Sequence, residues 1–459
     1  MLTLVFDIGK TNKKCLLFDQ NLHVVEEESV RMSETEDPDG FPCEDLTQLT
    51  EWLLHTFSEK QKQYKAEISA LNFSTYGASF VMLGKTGVPV APLYNYLKAF
   101  PEALYQQFWG QYGPAEDFCC ETASPALGML NSGLQLYWLK YARPVVFQQI
   151  GHALHLPTYA AYLFHGQKLS EPTSIGCHTA LWHFRNHTYH DWVEKEGILP
   201  LLSPIVPSSF QIQASLNGYS VAVGAGLHDS SAALVPYLLG FQEPFALIST
   251  GTWSITLNPF DQSAPTHALL AEDGLNFLSY LGTPVKATRL FLGNEHDKQS
   301  RKLICHFHKP ENAIDQVQPN AEMFESLKPQ ITRLLPSRID NTKPLLPQFD
   351  PSEYASFEEA YHVLIGALAA LQVHSVNLAI GDQMPRQVLL SGGFSKNKLF
   401  LEVLASNLSA PLCISEMSHA SALGAALLMR DNWSESVMHQ LRTKYAVSVD
   451  DRFRLNGAV

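Results

Sequence analysis

The chain has 459 residues, which is too long for one ordinary hydrophobic core, so we expect two or more domains. Apolar residues make up 46% of the chain and charged residues 17%, the balance of a globular protein. The formal net charge of −13 argues against a sequence-independent nucleic-acid binder, because such a protein needs a basic surface.

The sequence also predicts a cytoplasmic protein. No apolar run has the length that spans a bilayer, and residues 1–7 lack the basic start of a signal peptide. The seven cysteines show no C-x-x-C spacing, and their odd number favours reduced thiols over a disulfide framework. We therefore expect no membrane and no nucleic acid among its partners.

A polar turn between two apolar strands opens the chain. Residues 2–6 and 15–18 are short apolar runs typical of buried strands, and the segment from Asp7 to Lys14 joins them. Glycine, hydroxyl, amide and lysine groups in such a turn can bind a phosphate, while Asp7 can hold a hydrated Mg²⁺. Taken alone, the pattern is also that of a simple β-hairpin turn.

The rest of the first half predicts a mixed sheet with helices. We expect a helix over 46–65, a strand over 70–74 and a hairpin over 80–93. This order differs from the βαβ alternation of a Rossmann domain, and neither the dinucleotide-binding nor the P-loop glycine motif occurs. Residues 95–175 are mainly helical by pattern, and their aromatic side chains either pack in the core or line a sugar pocket.

A carboxylate and a second polar turn lie in the middle of the chain. Asp229 stands at the start of a predicted helix, where it can serve as an N-cap, as a base, or as both. Residues 245–249 and 253–257 form a second strand–turn–strand unit around 250–252. The repeated unit indicates one fold used twice, with a hinge near Gly240.

Later motifs complete the second half. Residues 308–352 are proline-rich and irregular, which predicts a surface segment. We expect a long helix over 357–380 and a strand over 387–390 that runs into the glycine-rich turn 391–393. Paired glycines let the backbone approach a flat ligand, and the helix behind them favours anions. A small-residue helix over 420–428 can pack closely against a sheet.

Five motifs in this order resemble those of the FGGY carbohydrate kinases, in the superfamily of actin-like ATPases and hexokinase. They are Asp-x-Gly-x-Thr at 7–11, Gly-x-His-Asp at 226–229, Ser-Thr-Gly-Thr-Trp-Ser at 249–254, Ser-Gly-Gly-Phe-Ser-x-Asn at 391–397 and Ser-Ala-Leu-Gly-Ala-Ala at 421–426. The His-Asp pair and the Gly-Thr-Trp turn look most like the rhamnulokinase and fuculokinase branches. The resemblance covers nearly the whole chain.

The resemblance implies an α/β fold of two RNase-H-like domains, with ATP and a sugar in the cleft between them. Residues 1–240 would form the N-terminal, sugar-binding domain, 241–435 the C-terminal, nucleotide-binding domain, and 436–459 a C-terminal tail. Asp229 would accept the proton of the attacking sugar hydroxyl, and Mg²⁺ would bridge phosphate oxygens near Asp7.

The same resemblance assigns binding residues. The nucleotide and its phosphates would contact Gly9, Thr11, Asn12, Lys14, Thr250, Gly251, Thr252, Gly392, Gly393 and Asn397. The sugar would contact Gly77, Ala78, Ser79, Tyr94 and His228. Lys10 departs from the family by replacing a small hydroxyl residue, and the family's Trp-x-Asp-x-Arg pattern is absent around 94–98. These departures concern the substrate more than the reaction.

Three functions are consistent with these motifs. The first is an ATP-dependent kinase acting on a ketose of the L-rhamnulose, L-fuculose or xylulose type, with the sugar and ATP as its partners. The second is a catalytically weak sensor of sugars or nucleotides on the same scaffold, favoured by the altered sugar segments and Lys10. The third is an actin-like ATPase that moves a protein partner. Asp229 favours the kinase, because a sensor needs no base, and the sequence leaves a homodimer open.

Overall fold

The computed structural model describes residues 1–415, 417 and 419–455 and shows two α/β halves. The strands of the first half are β1 (Leu2–Ile8), β2 (Lys13–Phe18), β3 (Val24–Val30), β4 (Glu34–Glu36), β5 (Pro42–Glu44), β6 (Ile68–Thr75), β7 (Phe80–Gly84), β8 (Ile150–His155), β9 (Trp182–His183), β10 (Thr188–Tyr189), β11 (Gln211–Leu216), β12 (Tyr219–Gly224) and β13 (Leu227–His228). Its helices are α1 (Leu46–Tyr64), α2 (Glu102–Tyr112), α3 (Ala115–Glu121), α4 (Ser132–Ala142), α5 (Pro144–Phe147), α6 (Leu156–His165), α7 (Pro172–Ile175), α8 (Asp191–Lys195) and α9 (Asp229–Gly240).

The second half begins after α9. Its strands are β14 (Phe245–Thr250), β15 (Ser254–Asn258), β16 (Gly274–Leu278), β17 (Pro284–Leu290), β18 (Gln387–Gly392), β19 (Leu412–Ser415) and β20 (Lys444–Ala446). Its helices are α10 (His267–Ala271), α11 (Leu292–His306), α12 (Ala321–Leu334), α13 (Phe357–Ile380), α14 (Lys398–Asn407), α15 (Ala420–Leu427) and α16 (Glu435–Leu441).

A seven-stranded mixed sheet forms the centre of the first half. Its strand order is β11-β12-β6-β1-β2-β3, with β13 also paired to β6. Strand β1 runs parallel to β6 and antiparallel to β2. Leu4, Val5 and Phe6 of β1 have no exposed surface, because both faces of this strand are covered, which explains its unbroken apolar sequence. Helices α1 and α6 share one core with this sheet.

The second half repeats this topology. Its sheet has the order β16-β17-β15-β14-β18-β19-β20, with β14 parallel to β18 and antiparallel to β15. Strand β18 runs parallel to β19, and β19 antiparallel to β20, as β6, β12 and β11 do in the first half. This duplicated mixed sheet confirms the prediction of an α/β fold with two RNase-H-like domains.

The predicted helices begin and end close to where the residue pattern places them. Helix α1 follows Asp45, whose side chain accepts a hydrogen bond from Gln48 N. Helix α13 follows Ser356, whose side chain accepts from Glu359 N, and it forms the centre of the core of the second half. These caps satisfy N–H groups that a helix start leaves without partners inside the helix.

Helix α13 corrects the expectation that no apolar segment has a membrane-spanning length. By length and composition this helix could cross a bilayer, since an 18-residue window has a mean hydropathy of 1.8. However, 83% of that window is buried inside the protein, where it packs in the core of the second half. Its apolar character is therefore that of a core helix.

Helices α9 and α15 pack against each other where the two halves meet. A β-carbon on Gly424 of α15 would lie 1.9 Å from the carbonyl oxygen of Ala232 in α9, so only glycine allows this approach. Helix α15 contributes Ala422 to a core that it shares with β1 and β2, while α9 contributes Leu234 and Tyr237 to the core of the second sheet. Helix α15, which follows β19 of the second sheet in sequence, therefore packs against the first sheet. Helix α9, which follows β13 of the first sheet, packs against the second sheet.

Three local expectations differ from the structure. The proline-rich segment 308–352 includes α12, whose Phe324 is fully buried in the core of the second half. The segment expected to be a tail, from residue 436, supplies most of α16 and strand β20, which extends the second sheet beside β19. Gly240 is buried, and its carbonyl accepts a hydrogen bond from Arg442 Nε at 2.9 Å, whereas a hinge residue is expected in an open linker. Its role as a hinge stays a prediction.

Candidate active site

The register of three parallel strands brings two carboxylates together. Strands β1 and β13 both run parallel to β6, with Asp7 opposite Ser74 and His228 opposite Thr75. Asp7 is the next-to-last residue of β1, and Asp229 follows β13 as the first residue of α9. Both carboxylates therefore lie at the edge of the sheet where the carboxyl ends of parallel strands meet.

Each of these carboxylates has a raised pKa. The pKa of Asp7 is raised to about 6, mainly by burial and also by the negative charge of Asp229. A hydrogen bond that Ser421 Oγ donates at 2.9 Å lowers it in part. Burial likewise raises the pKa of Asp229 to about 6, against hydrogen bonds from Ser230. The Asp229 side chain keeps 35% of its surface exposed, so a substrate can reach it.

The turn after β1 is a tight hairpin with its polar groups at the surface. Gly9 N donates to Asn12 O at 2.9 Å, and the Asn12 side chain accepts from Arg31 Nε at 3.0 Å. Thr11 and Asn12 are exposed. The backbone is therefore that of a simple hairpin, while its outward groups remain open to a phosphate.

Each lysine of this turn has a carboxylate partner. Lys13 is buried with Glu44, and their charged groups lie 2.6 Å apart. Lys14 donates to a carboxylate of β3 at 2.8 Å and Lys10 to one of β4 at 2.7 Å, and both lysines remain partly exposed. Partly exposed lysines can exchange such partners for a phosphate at small cost, because exposed ion pairs contribute only about 0–1 kcal/mol.

The second turn depends on close contact between β14 and β18. Thr250 Oγ1 donates to Ser391 O at 2.7 Å and accepts from Phe394 N at 3.2 Å. A β-carbon on Gly392 would lie 1.9 Å from Thr250 O, and the φ angle of Gly392 is +92°, so only glycine fits there. The structure thus places the predicted phosphate turn directly beside the predicted adenosine turn.

The neighbours of this contact remain accessible. Gly251, Thr252 and Gly393 are exposed, and a β-carbon on Gly393 would meet no atom within 4 Å. Asn397 caps α14 with its Oδ1, which accepts from the helix backbone at 3.0 Å, and its Nδ2 donates to Tyr361 Oη at 2.9 Å. The amide of Asn397 is therefore engaged within the protein.

The segment after β6 packs against His228. A β-carbon on Gly77 would lie 2.9 Å from Cys177 Sγ and 3.0 Å from His228 Cδ2. Ala78 and Ser79 are buried, and their carbonyl groups accept hydrogen bonds from other parts of the chain. The structure therefore brings Gly77 to His228, which precedes the base, whereas Ala78 and Ser79 are enclosed by protein.

Tyr94 does not join this group. Its ring is buried against Trp138, with centroids 4.8 Å apart, and burial and the charge of Asp37 raise its pKa. Tyr96 is only partly buried, and burial together with the charge of Asp229 raises its pKa to about 12. Tyr96 is therefore the tyrosine near the base, and the predicted Tyr94 is a core residue. This segment has no helix or strand period that could have separated the two tyrosines.

Arg289 is a candidate that the sequence motifs did not indicate. It lies on β17 of the second half, is 4% exposed, and pairs with Asp273 at 2.6 Å. Its positive charge lowers the pKa values of Tyr96 and Cys177, and the negative charge of Asp229 raises the pKa values of the same two side chains. Among the described residues its buried Nε has no hydrogen-bond partner. A single arginine in a strand forms no motif, so only the fold reveals it.

The chemistry of Asp7 fits a magnesium ion. Mg²⁺ binds one or two protein carboxylates and completes its shell with water and phosphate oxygens. No cluster of three or more His, Cys, Asp or Glu side chains in the described part of the chain could hold a metal. A cation at Asp7 would offset the repulsion from Asp229.

Comparisons with known proteins agree with this geometry. Residues 2–235 match the FGGY family of carbohydrate kinases, N-terminal domain, and residues 242–437 match carbohydrate kinase FGGY, C-terminal domain. A rhamnulokinase of Klebsiella pneumoniae is 25% identical over 246 residues, which are 51% of this chain and 49% of that protein. The chain thus matches about half the length of the curated relatives.

Solved structures are similar over nearly the whole chain. A carbohydrate kinase from Novosphingobium aromaticivorans is 25% identical, with a TM-score of 0.77 over 99% of this chain and 97% of that one. A ligand-bound xylulose kinase from Lactobacillus acidophilus has a TM-score of 0.81 at 15% identity, over 97% and 93% of the two chains, and it shows the fold alone. Because the two family domains cover both halves, this chain belongs to the FGGY family of carbohydrate kinases, a family of phosphotransferases.

Proposed function

We propose that this protein is an ATP-dependent kinase that transfers the γ-phosphate of ATP to a hydroxyl of a ketose, with Asp229 as the base. The observation that carries the proposal is the pairing of Asp7 and Asp229 at one sheet edge. The rhamnulokinase relative and the xylulose kinase structure support a ketose of the L-rhamnulose, L-fuculose or xylulose type.

The proposed reaction needs few special groups. Asp229 takes the proton of the sugar hydroxyl as that oxygen attacks the γ-phosphorus, and the bond from phosphorus to ADP breaks. The transition state of phosphoryl transfer is loose, so alignment and charge neutralisation contribute more than the strength of the base. A carboxylate with a pKa of about 6 is mostly ionised at neutral pH and can accept this proton.

The remaining residues bind and orient the substrates. The turns 9–14 and 250–252 would hold the phosphates, and Gly392, Gly393 and Asn397 would lie at adenosine. Asp7 would hold Mg²⁺, which supplies positive charge at the phosphates when it is bound. The sugar wall would include Gly77, His228, Tyr96 and Arg289.

A substrate panel tests the kinase proposal. The purified chain is mixed with MgATP and each of several ketoses, and ADP release is coupled to NADH oxidation. We expect turnover with at least one of L-rhamnulose, L-fuculose and xylulose. ATP binding in calorimetry without turnover on any sugar would contradict the proposal and support the sensor hypothesis instead.

Asp229→Asn tests the assigned base. The amide keeps the shape of the side chain but cannot accept the proton, so we expect kcat to fall by about 10²- to 10⁴-fold while ATP affinity is nearly unchanged. Ser230→Ala is the matched control, because it changes the neighbour that donates to the Asp229 carboxylate and leaves the carboxylate in place. Near-normal turnover of Asp229→Asn would exclude Asp229 as the base.

A further inference from the structure

A chain of hydrogen bonds runs through His228, next to the proposed base. His228 is 4% exposed, with Nε2 3.1 Å from Cys177 Sγ and Nδ1 3.5 Å from Ser231 Oγ. Ser231 Oγ donates to Leu278 O at 3.0 Å, and Leu278 ends strand β16 of the second half. The four residues therefore connect the first half to the second beside Asp229.

The carbonyl at the end of this chain determines where the protons lie. A carbonyl oxygen only accepts, so the one hydroxyl proton of Ser231 is directed to Leu278 O. Ser231 then presents a lone pair to His228 Nδ1, and a hydrogen bond there requires the hydrogen on Nδ1. Burial lowers the pKa of His228 to about 3, so the ring is neutral and Nε2 carries no hydrogen.

The thiol on the other side of the ring agrees with this assignment. Cys177 is 1% exposed, and burial and the charge of Asp229 raise the pKa of its thiol well above the usual range. The thiol therefore keeps its hydrogen and can donate it to the bare Nε2 of His228. Gly77 permits this close arrangement, since a β-carbon there would collide with both side chains.

The bare nitrogen also lies beside the base. Nε2 of His228 is 3.2 Å from Oδ1 of Asp229. Two acceptors with no hydrogen between them repel each other while the carboxylate is ionised. Once Asp229 carries a proton, its O–H group can donate to the single Nε2 lone pair in place of the weaker Cys177 thiol donor. A hydrogen bond to the neutral form of a carboxyl favours that form.

We propose that Ser231 and Cys177 hold His228 in the Nδ1–H tautomer, so that its Nε2 accepts a hydrogen bond from Asp229 after the base has taken the sugar's proton. This inference rests on the proposed function. In that step the sugar oxygen bonds to the γ-phosphorus, the bond to ADP breaks, and the proton passes to Asp229. His228 is then a positioning residue that stabilises the protonated base and does not take the proton itself.

The same chain links the base to the contact between the two halves. Phe277, next to Leu278, packs against the His228 ring with centroids 5.4 Å apart. Separation of the halves would free the Ser231 hydroxyl to donate to Nδ1, and an Nε2–H group would then donate to the Asp229 carboxylate. The base would therefore be strongest when the halves are in contact. The other titratable and charged groups near this hydrogen-bond chain include Asp7, Tyr96, His155, His178, Glu171 and Arg289.

Nitrogen-15 NMR of the full chain labelled at histidine tests the tautomer without relying on turnover. The chain has 18 histidines, and the His228 signals are those absent from a His228→Gln variant. We expect a neutral ring with its hydrogen on Nδ1 between about pH 6 and pH 8. An Nε2–H tautomer or a charged ring would overturn the inference even in an active enzyme. The expected tautomer in a protein with no sugar-dependent turnover would count against the proposed function alone.

Ser231→Ala tests the consequence for the base. Loss of the acceptor for Nδ1–H favours the Nε2–H tautomer, which donates to ionised Asp229 and so lowers its pKa. We expect the acid limb of kcat/KM to move to lower pH by about one unit, together with a lower kcat. Ser406→Ala is the matched control, because Ser406 is a buried serine whose hydroxyl donates to Asp450 O at 2.8 Å in another part of the fold.

The two variants separate positioning from a structural role. A lower melting temperature in both variants with the acid limb unmoved in Ser231→Ala would overturn the inference. If Ser231→Ala does not fold, Ser231→Thr, which keeps the hydroxyl, is measured by the same NMR experiment. The Nδ1–H tautomer should persist in that variant, and its loss would contradict the role assigned to the hydroxyl.

Discussion

At the scale of single residues, the proposed site contains polar groups that cost stability in the protein without ligands. Asp7 and Asp229 each have a raised pKa, and Nε of Arg289 has no partner among the described residues. A buried donor or acceptor without a partner costs about 1–3 kcal/mol. A ligand at the proposed site would supply partners for these groups.

The pH dependence of turnover follows from Asp229. Burial raises its pKa to about 6, and only the ionised carboxylate accepts a proton. We expect kcat/KM to be level above about pH 7 and to fall about tenfold per pH unit below about pH 6. The profile is measured at constant ionic strength with coupling enzymes in excess. An acid limb near pH 4, the ordinary value for aspartate, would show that burial does not affect the base.

The raised pKa of Asp229 also means that its ionised form, which is needed for turnover, lowers the stability of the fold. Because its folded pKa lies above its unfolded value, the ionised form disfavours folding, and this cost develops as pH rises between the two values. Asp229→Asn removes the cost. Its melting temperature should therefore exceed that of the wild type above about pH 7 and approach it near pH 4.

At the scale of elements, the sequence predicts the helices whose ends and apolar faces depend on residues close together in the chain. Helices α1 and α13 have apolar faces and polar caps within a few residues, and their predicted ranges agree with the structure. The hairpin expected over 80–93 forms only in its first part, where Leu83 is bridged antiparallel to Pro89 and Val90 N donates to Met82 O at 2.9 Å. The long partner of β7 is instead β8, which lies far along the chain. Distant pairing of this kind is not encoded in any local period.

The same distinction between local and distant determinants applies to the residues of the candidate site. The two turns and Asp229 could be predicted because each combines a strand end with a short polar motif. Tyr96, Cys177 and Arg289 could not, because only sheet register and the contact between halves bring them close to one another and to Asp229. Residues that form no motif therefore become candidates only after the fold has placed them.

The turn at Gly392 supplies a test at the element scale. Gly392→Ala forces a side chain into a φ of +92° and places a β-carbon against Thr250 O, so β14 and β18 must move apart. We expect a loss of about 1–3 kcal/mol in unfolding free energy and a higher KM for ATP. Gly393→Ala is the matched control for stability, since a β-carbon there meets nothing within 4 Å. Equal unfolding midpoints in urea for the two variants would contradict this account.

At the scale of the whole molecule, the two halves are joined by more than the linker between them. Helix α15 packs against the first sheet and helix α9 against the second. Ser421 at the start of α15 also donates a hydrogen bond to Asp7 of the first sheet. The packing of α15 on α9 therefore affects both the contact between halves and a residue of the proposed site. The domain boundaries at 240 and 435, the cytoplasmic location and the homodimer stay predictions.

A matched pair of glycines tests this coupling. Gly424→Ala places a β-carbon 1.9 Å from Ala232 O, which forces α15 away from α9 and carries Ser421, one helical turn earlier, away from Asp7. We expect a loss of about 1–3 kcal/mol in stability, as for other overpacked contacts, and a fall of about tenfold or more in kcat/KM. Gly110→Ala, on α2 with nothing within 4 Å, should instead gain about 0.5–1 kcal/mol and keep its activity. If Gly424→Ala lost stability in urea unfolding but kept full kcat/KM, the α9–α15 contact would hold the halves together without positioning the site.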